Sequence, residues 1–283
     1  SCTLTCKYHA GTEMTTIRIH PDVTAGRKNY EHLPKDTLLV HGTFLTFQGE
    51  GPFMGRKAFF IRLAGCNYGS KTTHCGGPGL QCDTEFTLAK GVPTSVQSLV
   101  EQAVASGAEI VVVTGGEPFL QAVGLMELSL NLFEAGLTTQ VETNGVYIRA
   151  IEDLLRDPSF DTHVVISPKA NQSSGYSDTL IRKVYAAMND AHRSLFLKVL
   201  IGAYPYDSIP APFLSLPKHI KNRIYLSPVT TYKSSYTGEI ANSWNHDLVD
   251  PVQTAANHAC AAQLVIEHNL RLSIQMHNFC GVA

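Results

Sequence analysis

Three cysteines, Cys66, Cys75 and Cys82, fall in one short stretch rich in Gly, Ser and Thr, directly after the apolar run Ala58-Phe-Phe-Ile-Arg-Leu-Ala64. Thiolates are soft ligands, suited to zinc or to iron–sulfur clusters. A structural zinc closes its shell with four protein ligands. His74 stands beside Cys75, but adjacent residues seldom reach one tetrahedral ion together. Three thiolates without a fourth describe a metal centre with one open position, and an open position invites chemistry. Spacing alone leaves a [4Fe–4S] cluster and zinc both standing. The chain has 7 cysteines, an odd number in a long chain, which argues against a disulfide framework. Cys2 and Cys6 read as surface thiols, Cys260 in its alanine-rich helix as core, and Cys280 as structural.

Other stretches offer polar groups beside glycine. In Thr114-Gly-Gly-Glu-Pro118 the glycines would let backbone approach a ligand, and Glu117 offers a carboxylate. With no basic residue nearby, such a loop suits an ammonium group rather than a phosphate. A plain βα turn is the alternative. In Phe47-Gln-Gly-Glu-Gly-Pro52, Gln48 and Glu50 bracket Gly49, which reads as a hairpin turn or a ligand approach. Arg62 interrupts an apolar strand and needs an anionic partner, either structural or a substrate carboxylate. Lys198, also in an apolar strand, is expected to meet an anion at the mouth of the fold. His277 and Gln275 read as packed strand-end residues.

These groups need a scaffold. Strand, polar loop and helix alternate about six times, which predicts a parallel sheet. Helices are expected at 96–105, 121–135, 148–156, 178–190 and 251–268, with a last strand at 271–277. The polar loops all follow strands, so a partial β/α barrel would collect them on one face. The expected organisation is an N-terminal extension, 1–37, with one short strand at 15–20, and one domain, 38–283, with long loops at 203–218 and 229–247. The 283 residues suffice for a full core. A net charge of −2 argues against a nucleic-acid-binding face. No apolar run reaches the roughly 18 residues of a membrane span, and no signal pattern opens the chain. A cytoplasmic protein is expected.

The motifs together carry a resemblance. Gly65-Cys66, Cys82-Asp83-Thr84 and Thr-Gly-Gly-Glu-Pro resemble the radical S-adenosylmethionine superfamily. More narrowly, Phe47-Gln-Gly-Glu-Gly51, Gly55-Arg-Lys-Ala-Phe-Phe-Ile-Arg-Leu-Ala-Gly-Cys-Asn67 and the closing Arg271-Leu-Ser-Ile-Gln-Met-His277 resemble the 7-carboxy-7-deazaguanine synthase family of 7-deazapurine (queuosine precursor) biosynthesis. The resemblance runs from residue 38 to the C-terminus and is loose between 170 and 265. It implies a carbon–nitrogen lyase in a radical S-adenosylmethionine type partial barrel. Cys66, Cys75 and Cys82 would hold a [4Fe–4S] cluster whose open iron binds S-adenosylmethionine. A 5′-deoxyadenosyl radical would take hydrogen from 6-carboxy-5,6,7,8-tetrahydropterin. Ring contraction with loss of ammonia would give 7-carboxy-7-deazaguanine.

By the same resemblance, Thr84 would contact Mg²⁺. Gln81, Asp83, Gly116, Glu117, Ser167, Pro168 and Lys169 would contact S-adenosylmethionine. Phe47, Gln48, Gly49, Glu50, Arg62 and Thr114 would contact the pterin, with Ser227 and His277 as further candidates. The implied partners are the small pterin, an electron donor such as flavodoxin or ferredoxin, and a second copy in a homodimer, with neither nucleic acid nor membrane. The chain departs from the superfamily's usual Cys-x3-Cys-x2-Cys. Its spacing is Cys-x8-Cys-x6-Cys, Gly79 stands where the middle cysteine would be, and Cys75 takes that role through a longer loop. Two other readings stand beside this one: an activase of the same superfamily acting on a protein glycine, and a non-catalytic zinc-binding module.

Overall fold

The computed structural model describes residues 5–10, 13–18, 30, 33–68, 91–156, 161–170, 175–189, 194–203, 206–231, 233 and 249–280. Strands β1 (Thr5–Ala10) and β2 (Glu13–Arg18) form an antiparallel pair, where a single strand at 15–20 was expected. The body begins with β3 (Thr37–Phe47) and β4 (Lys57–Leu63), then β5 (Val92–Ser95) and α1 (Val96–Ser106). Next come β6 (Ile110–Gly115), α2 (Ala122–Glu134), β7 (Thr138–Thr143), α3 (Ile148–Leu155), β8 (Thr162–Ile166), α4 (Asp178–Asn189) and β9 (Leu195–Ile201). The chain continues through α5 (Ala211–Leu214), α6 (Lys218–Lys221), β10 (Ile224–Pro228), α7 (Pro251–His268), β11 (Arg271–Leu272) and α8 (His277–Cys280).

The long helices start and stop where their sequences say. Ser95 caps α1 by accepting from the Ser98 N–H at 3.2 Å, and Gly107 ends it in a left-handed conformation. Asp250 caps α7 by accepting from the Val252 and Gln253 N–H groups, with Pro251 in the first turn. Among the described residues no helix is long and apolar enough to cross a membrane.

One 9-stranded sheet runs in the order β11-β10-β9-β8-β7-β6-β4-β3-β5. From β4 through β11 every neighbouring pair is parallel, as the alternation predicts. Strands β3 and β5 depart from it: β3 pairs antiparallel with both β4 and β5. The turn between β3 and β4 is therefore a hairpin loop, tied by Gln48 N–H to Arg56 O at 2.8 Å and Gly55 N–H to Gln48 O at 2.7 Å.

Three sequence expectations fail at the C-terminal side. The strand expected at 271–277 stops at Leu272. Beyond it, Ser273 and Met276 bond to the hairpin loop, and a turn from Gln275 leads into α8. The region 203–218, expected as a loop, holds the short helix α5 and the first residue of α6, each helix preceded by a proline. Cys260 is exposed rather than core, because Asn257 and Ala261 are the α7 positions turned fully inward.

Side chains alternate across the strands with period two. One set, including Phe59, Ile61, Val111, Val113, Val141, Val164 and Leu197, packs with Leu99, Leu125, Leu128, Ile151 and Val184 from the helices into the main core. The other set opens with a small cluster, Ala58, Phe60, Ile110 and Val112, against Phe44 and Phe53. Further along the same face the side chains turn polar: Arg62, Thr114, Gln140, Glu142, Lys198 and Ser227. The hairpin loop lies over that face.

Candidate active site

The C-terminal end of β4 delivers the half-buried Cys66. The next loop, after β6, packs directly on it. Gly116 N–H bonds to Leu63 O at 3.1 Å and Glu117 N–H to Gly65 O at 2.8 Å. A Cβ on Gly116 would overlap the Gly65 carbonyl and lie 3.1 Å from the Cys66 nitrogen. The glycine thus serves backbone-to-backbone contact beside Cys66, a use the sequence reading had assigned to ligand approach.

Glu117 is fully buried. Its carboxylate accepts from Thr143 Oγ1 at 2.7 Å, Asn144 N–H at 2.8 Å and Phe119 N–H at 3.1 Å. Asn144 in turn donates to Asn67 Oδ1 at 2.7 Å, beside Cys66. Glu117 therefore ties the ends of β4, β6 and β7 together. Burial pushes its carboxyl up to about 7, against the opposing pull of these donors and of Lys169. The Tyr147 phenol is pushed up to about 12, by burial first and then by the charges of Glu117, Cys66 and Tyr30. These groups share one electrostatic neighbourhood. Ser167 and Pro168 are buried at the end of β8, and Lys169 Nζ donates to Ser167 Oγ at 3.2 Å.

The polar face of the sheet holds a second assembly. Arg62 and Thr114 are register partners on β4 and β6. The Arg62 guanidinium lies 5.1 Å from the centre of the Phe44 ring, a cation–π arrangement. Thr114 donates to Glu142 Oε2 at 3.0 Å. Gln48 and Gln140 donate to Glu142 Oε1 at 3.1 and 3.0 Å. Gln48, buried, also accepts from the Glu50 N–H at 3.1 Å. Glu142 was not foreseen. Its signal was present in Thr138-Thr-Gln-Val-Glu142: two polar residues spaced by two within a buried strand. Gln121 was missed too; its amide bridges Leu39 and Ala64, joining β3 to the end of β4.

Other expected residues are placed as follows. Gly49 and Glu50 sit in the hairpin loop, Ser227 on β10 bonds Glu50 at 3.2 Å, and His277 opens α8 against Gly49. Phe47 pairs with Lys57 and lines a surface groove of about 510 Å³ with Leu45 and Glu109. Cys75, Gln81, Cys82, Asp83 and Thr84 lie outside the described residues. Among the described residues no group of three or more His, Cys, Asp or Glu forms a metal site.

No protein-family model matches the chain. A protein from Hyperthermus butylicus named 7-carboxy-7-deazaguanine synthase is 29% identical over 249 residues, covering 85% of this chain and 91% of its own. One of the same name from Rickettsia prowazekii is 29% identical over 269 residues, covering 90% and 96%. The crystal structure of QueE from Escherichia coli superposes with a TM-score of 0.56 at 24% identity, covering 85% of this chain and 95% of that one. A radical SAM methyltransferase from Sphaerobacter thermophilus gives 0.51 at 15% identity, covering 82% and 68%. Those two likenesses bear on the fold, an α/β architecture with a mostly parallel sheet. Along nearly the whole of both chains, the protein is similar to proteins named 7-carboxy-7-deazaguanine synthase.

Proposed function

We propose that this protein is a radical S-adenosylmethionine enzyme that converts 6-carboxy-5,6,7,8-tetrahydropterin to 7-carboxy-7-deazaguanine with loss of ammonia. What carries the reading is a coincidence: the relatives named for that product match nearly the whole chain, and the polar face brings together Gln48, Arg62 and Thr114. Cys66 suits a cluster ligand, being a half-buried thiol at a strand end beside a side-chain-free glycine contact. Cys66, Cys75 and Cys82 would hold the [4Fe–4S] cluster, which with S-adenosylmethionine supplies the radical that takes a hydrogen atom from substrate.

The chain's own residues do the rest. Arg62 pairs the pterin carboxylate through its planar fork. The Gln48 amide and the Gly49 backbone read the pterin's amide edge, which carries both donors and acceptors. Glu142 holds Gln48 and Thr114 in register for that contact. Gly116, Ser167, Pro168 and Lys169, with Gln81 and Asp83, line the S-adenosylmethionine side, and Glu117 sets their strand ends. In this reading the sheet is a partial barrel, Thr84 contributes to a Mg²⁺ shell completed by substrate and water, a flavodoxin- or ferredoxin-like donor supplies electrons, and the enzyme works as a cytoplasmic homodimer.

Anaerobic reconstitution with iron and sulfide is the test. The expected product is a brown protein absorbing near roughly 400 nm that cleaves S-adenosylmethionine and consumes the carboxypterin. A colourless, zinc-replete protein would overturn the reading. Cleavage of S-adenosylmethionine with no conversion of the pterin would overturn the substrate assignment.

A further inference from the structure

By the family resemblance Glu50 is expected to contact the substrate. In the folded chain its carboxylate is already engaged. Lys198 Nζ donates to Oε2 at 2.8 Å and Ser227 Oγ to Oε1 at 3.2 Å. The side chains of Lys198 and Glu50 are each 13% exposed. Removing one member of such a pair strands a buried charge. Burial by itself would raise the Glu50 carboxyl; the Lys198 ammonium and its hydrogen bond, His277 and Ser227 outweigh it and hold it below the usual carboxylate range.

The pair joins elements far apart in the chain, the hairpin loop and β9. Two backbone contacts pin the same loop to the segment after β11: Gly51 N–H to Ser273 Oγ at 2.8 Å and Met276 N–H to Gly49 O at 3.1 Å. A Cβ on Gly49 would lie 2.5 Å from His277 Nδ1. Gln48, immediately before, takes its side-chain orientation from the Glu50 N–H on one side and Glu142 on the other.

We propose that Glu50, Lys198 and Ser227 form a latch that fixes the hairpin loop across the sheet, so that Gln48 and Gly49 meet the pterin while Glu50 does not touch it. Glu50 and Lys198 are positioning residues. Their effect on catalysis rests on the pterin reading above; their effect on the loop does not.

Two measurements separate those dependencies. The first is hydrogen exchange of the full chain, which needs no activity. In Lys198→Met, the amides of Glu50 and Gly51 should exchange about tenfold faster or more, while amides in β6 stay near wild type. Ser227→Ala removes one bond and no charge, so it keeps the comparison open if Lys198→Met fails to fold; it should speed the same amides about threefold. Wild-type exchange at Glu50 and Gly51 in both variants, or in Ser227→Ala alone if the other does not fold, overturns the latch.

The second measurement is steady-state kinetics of the reconstituted enzyme. Glu50→Gln and Lys198→Met should each raise the pterin KM about tenfold and change the S-adenosylmethionine KM far less. The double variant should be no worse than the worse single, because no stranded charge remains. Multiplicative single effects, or equal rises in both KM values, overturn the positioning role. If wild type leaves the pterin unconverted, the substrate reading fails and the exchange result alone decides the latch.

Discussion

The two faces of the sheet are built from the same strands and obey opposite rules. On the helix-covered face, Ile61, Val113, Val141 and Leu197 are fully or almost fully buried among apolar neighbours. One residue along each strand, Arg62, Thr114, Glu142 and Lys198 carry charge or hydroxyl, and each has a partner. The apolar face is non-directional: area removed from water stabilises it, and similar shapes substitute for one another. The polar face is directional, since a buried donor or acceptor left alone costs more than its bond contributed. Apolar packing and directional polar pairing are thus separated by a single step of the pleat, and substitutions on the two faces should fail differently.

The largest effect is expected at the rim where the faces meet. Cys66→Ala should abolish bound iron and sulfide, measured by metal analysis after reconstitution, while thermal unfolding stays close to wild type. Iron retained at the wild-type ratio would break the assignment of that strand end. On the apolar face, Leu125→Ala should lower unfolding free energy by about 3 kcal/mol, read by denaturant titration, with the pterin KM little changed in the folded fraction.

At the strand ends, Glu117 makes stability depend on pH. Its folded value of about 7 lies above its ordinary 4.5, so between those limits the folded chain binds more protons than the unfolded one. The contribution is present in full below 4.5 and is lost as pH rises through 7, by roughly 3 kcal/mol in total. Unfolding measured across that range should show the decline, and Glu117→Gln should flatten it.

On the polar face, Glu142→Gln turns an amide donor toward Gln48, Gln140 or Thr114. It should reduce kcat/KM for the pterin roughly tenfold with a smaller change in unfolding midpoint. A larger loss of stability than of kcat/KM would erase the contrast between the faces. The smallest effect belongs to neither: the exposed Arg56–Glu109 pair, at 3.1 Å, should contribute about 0.5 kcal/mol or less when Arg56→Ala is measured.

How much of this was legible depended on range. The parallel run was readable because each βα unit carries its own period, and α1 and α7 add caps and stops, as Ser95, Gly107 and Asp250 illustrate. Arg62 and Lys198 were readable as anomalies, since a charge in an apolar strand demands a partner. Which partner was not readable: Lys198 meets Glu50, 148 positions away, and no local pattern encodes that pairing. Glu142 was within reach by alternation alone. The truncated β11 was hidden because Ser273 still bonds through its own N–H to Leu226 O, as a strand residue would, and only its hydroxyl and the Met276 N–H turn to the hairpin loop. Cys260 was misjudged for a similar reason: an alanine-rich helix reads the same whether packed on one side or two.

The hairpin loop also dictates an order of assembly. Its residues emerge early in synthesis, yet, apart from Glu142, the side chains and backbone that seat them belong to Lys198, Ser227, Ser273 and Met276. The helix-covered layers from β4 to α4 can form from contacts between neighbours in sequence, and Glu142 on β7 can already hold Gln48, but Glu50 and Gly51 have no seat until the last strands arrive. A chain halted after α4 would own much of its apolar core and the Gln48–Thr114–Glu142 part of its polar face, but not the part built on β9 and β10. The loop is therefore seated in two stages, its Gln48 end on β7 and its Glu50 end on β9 and β10.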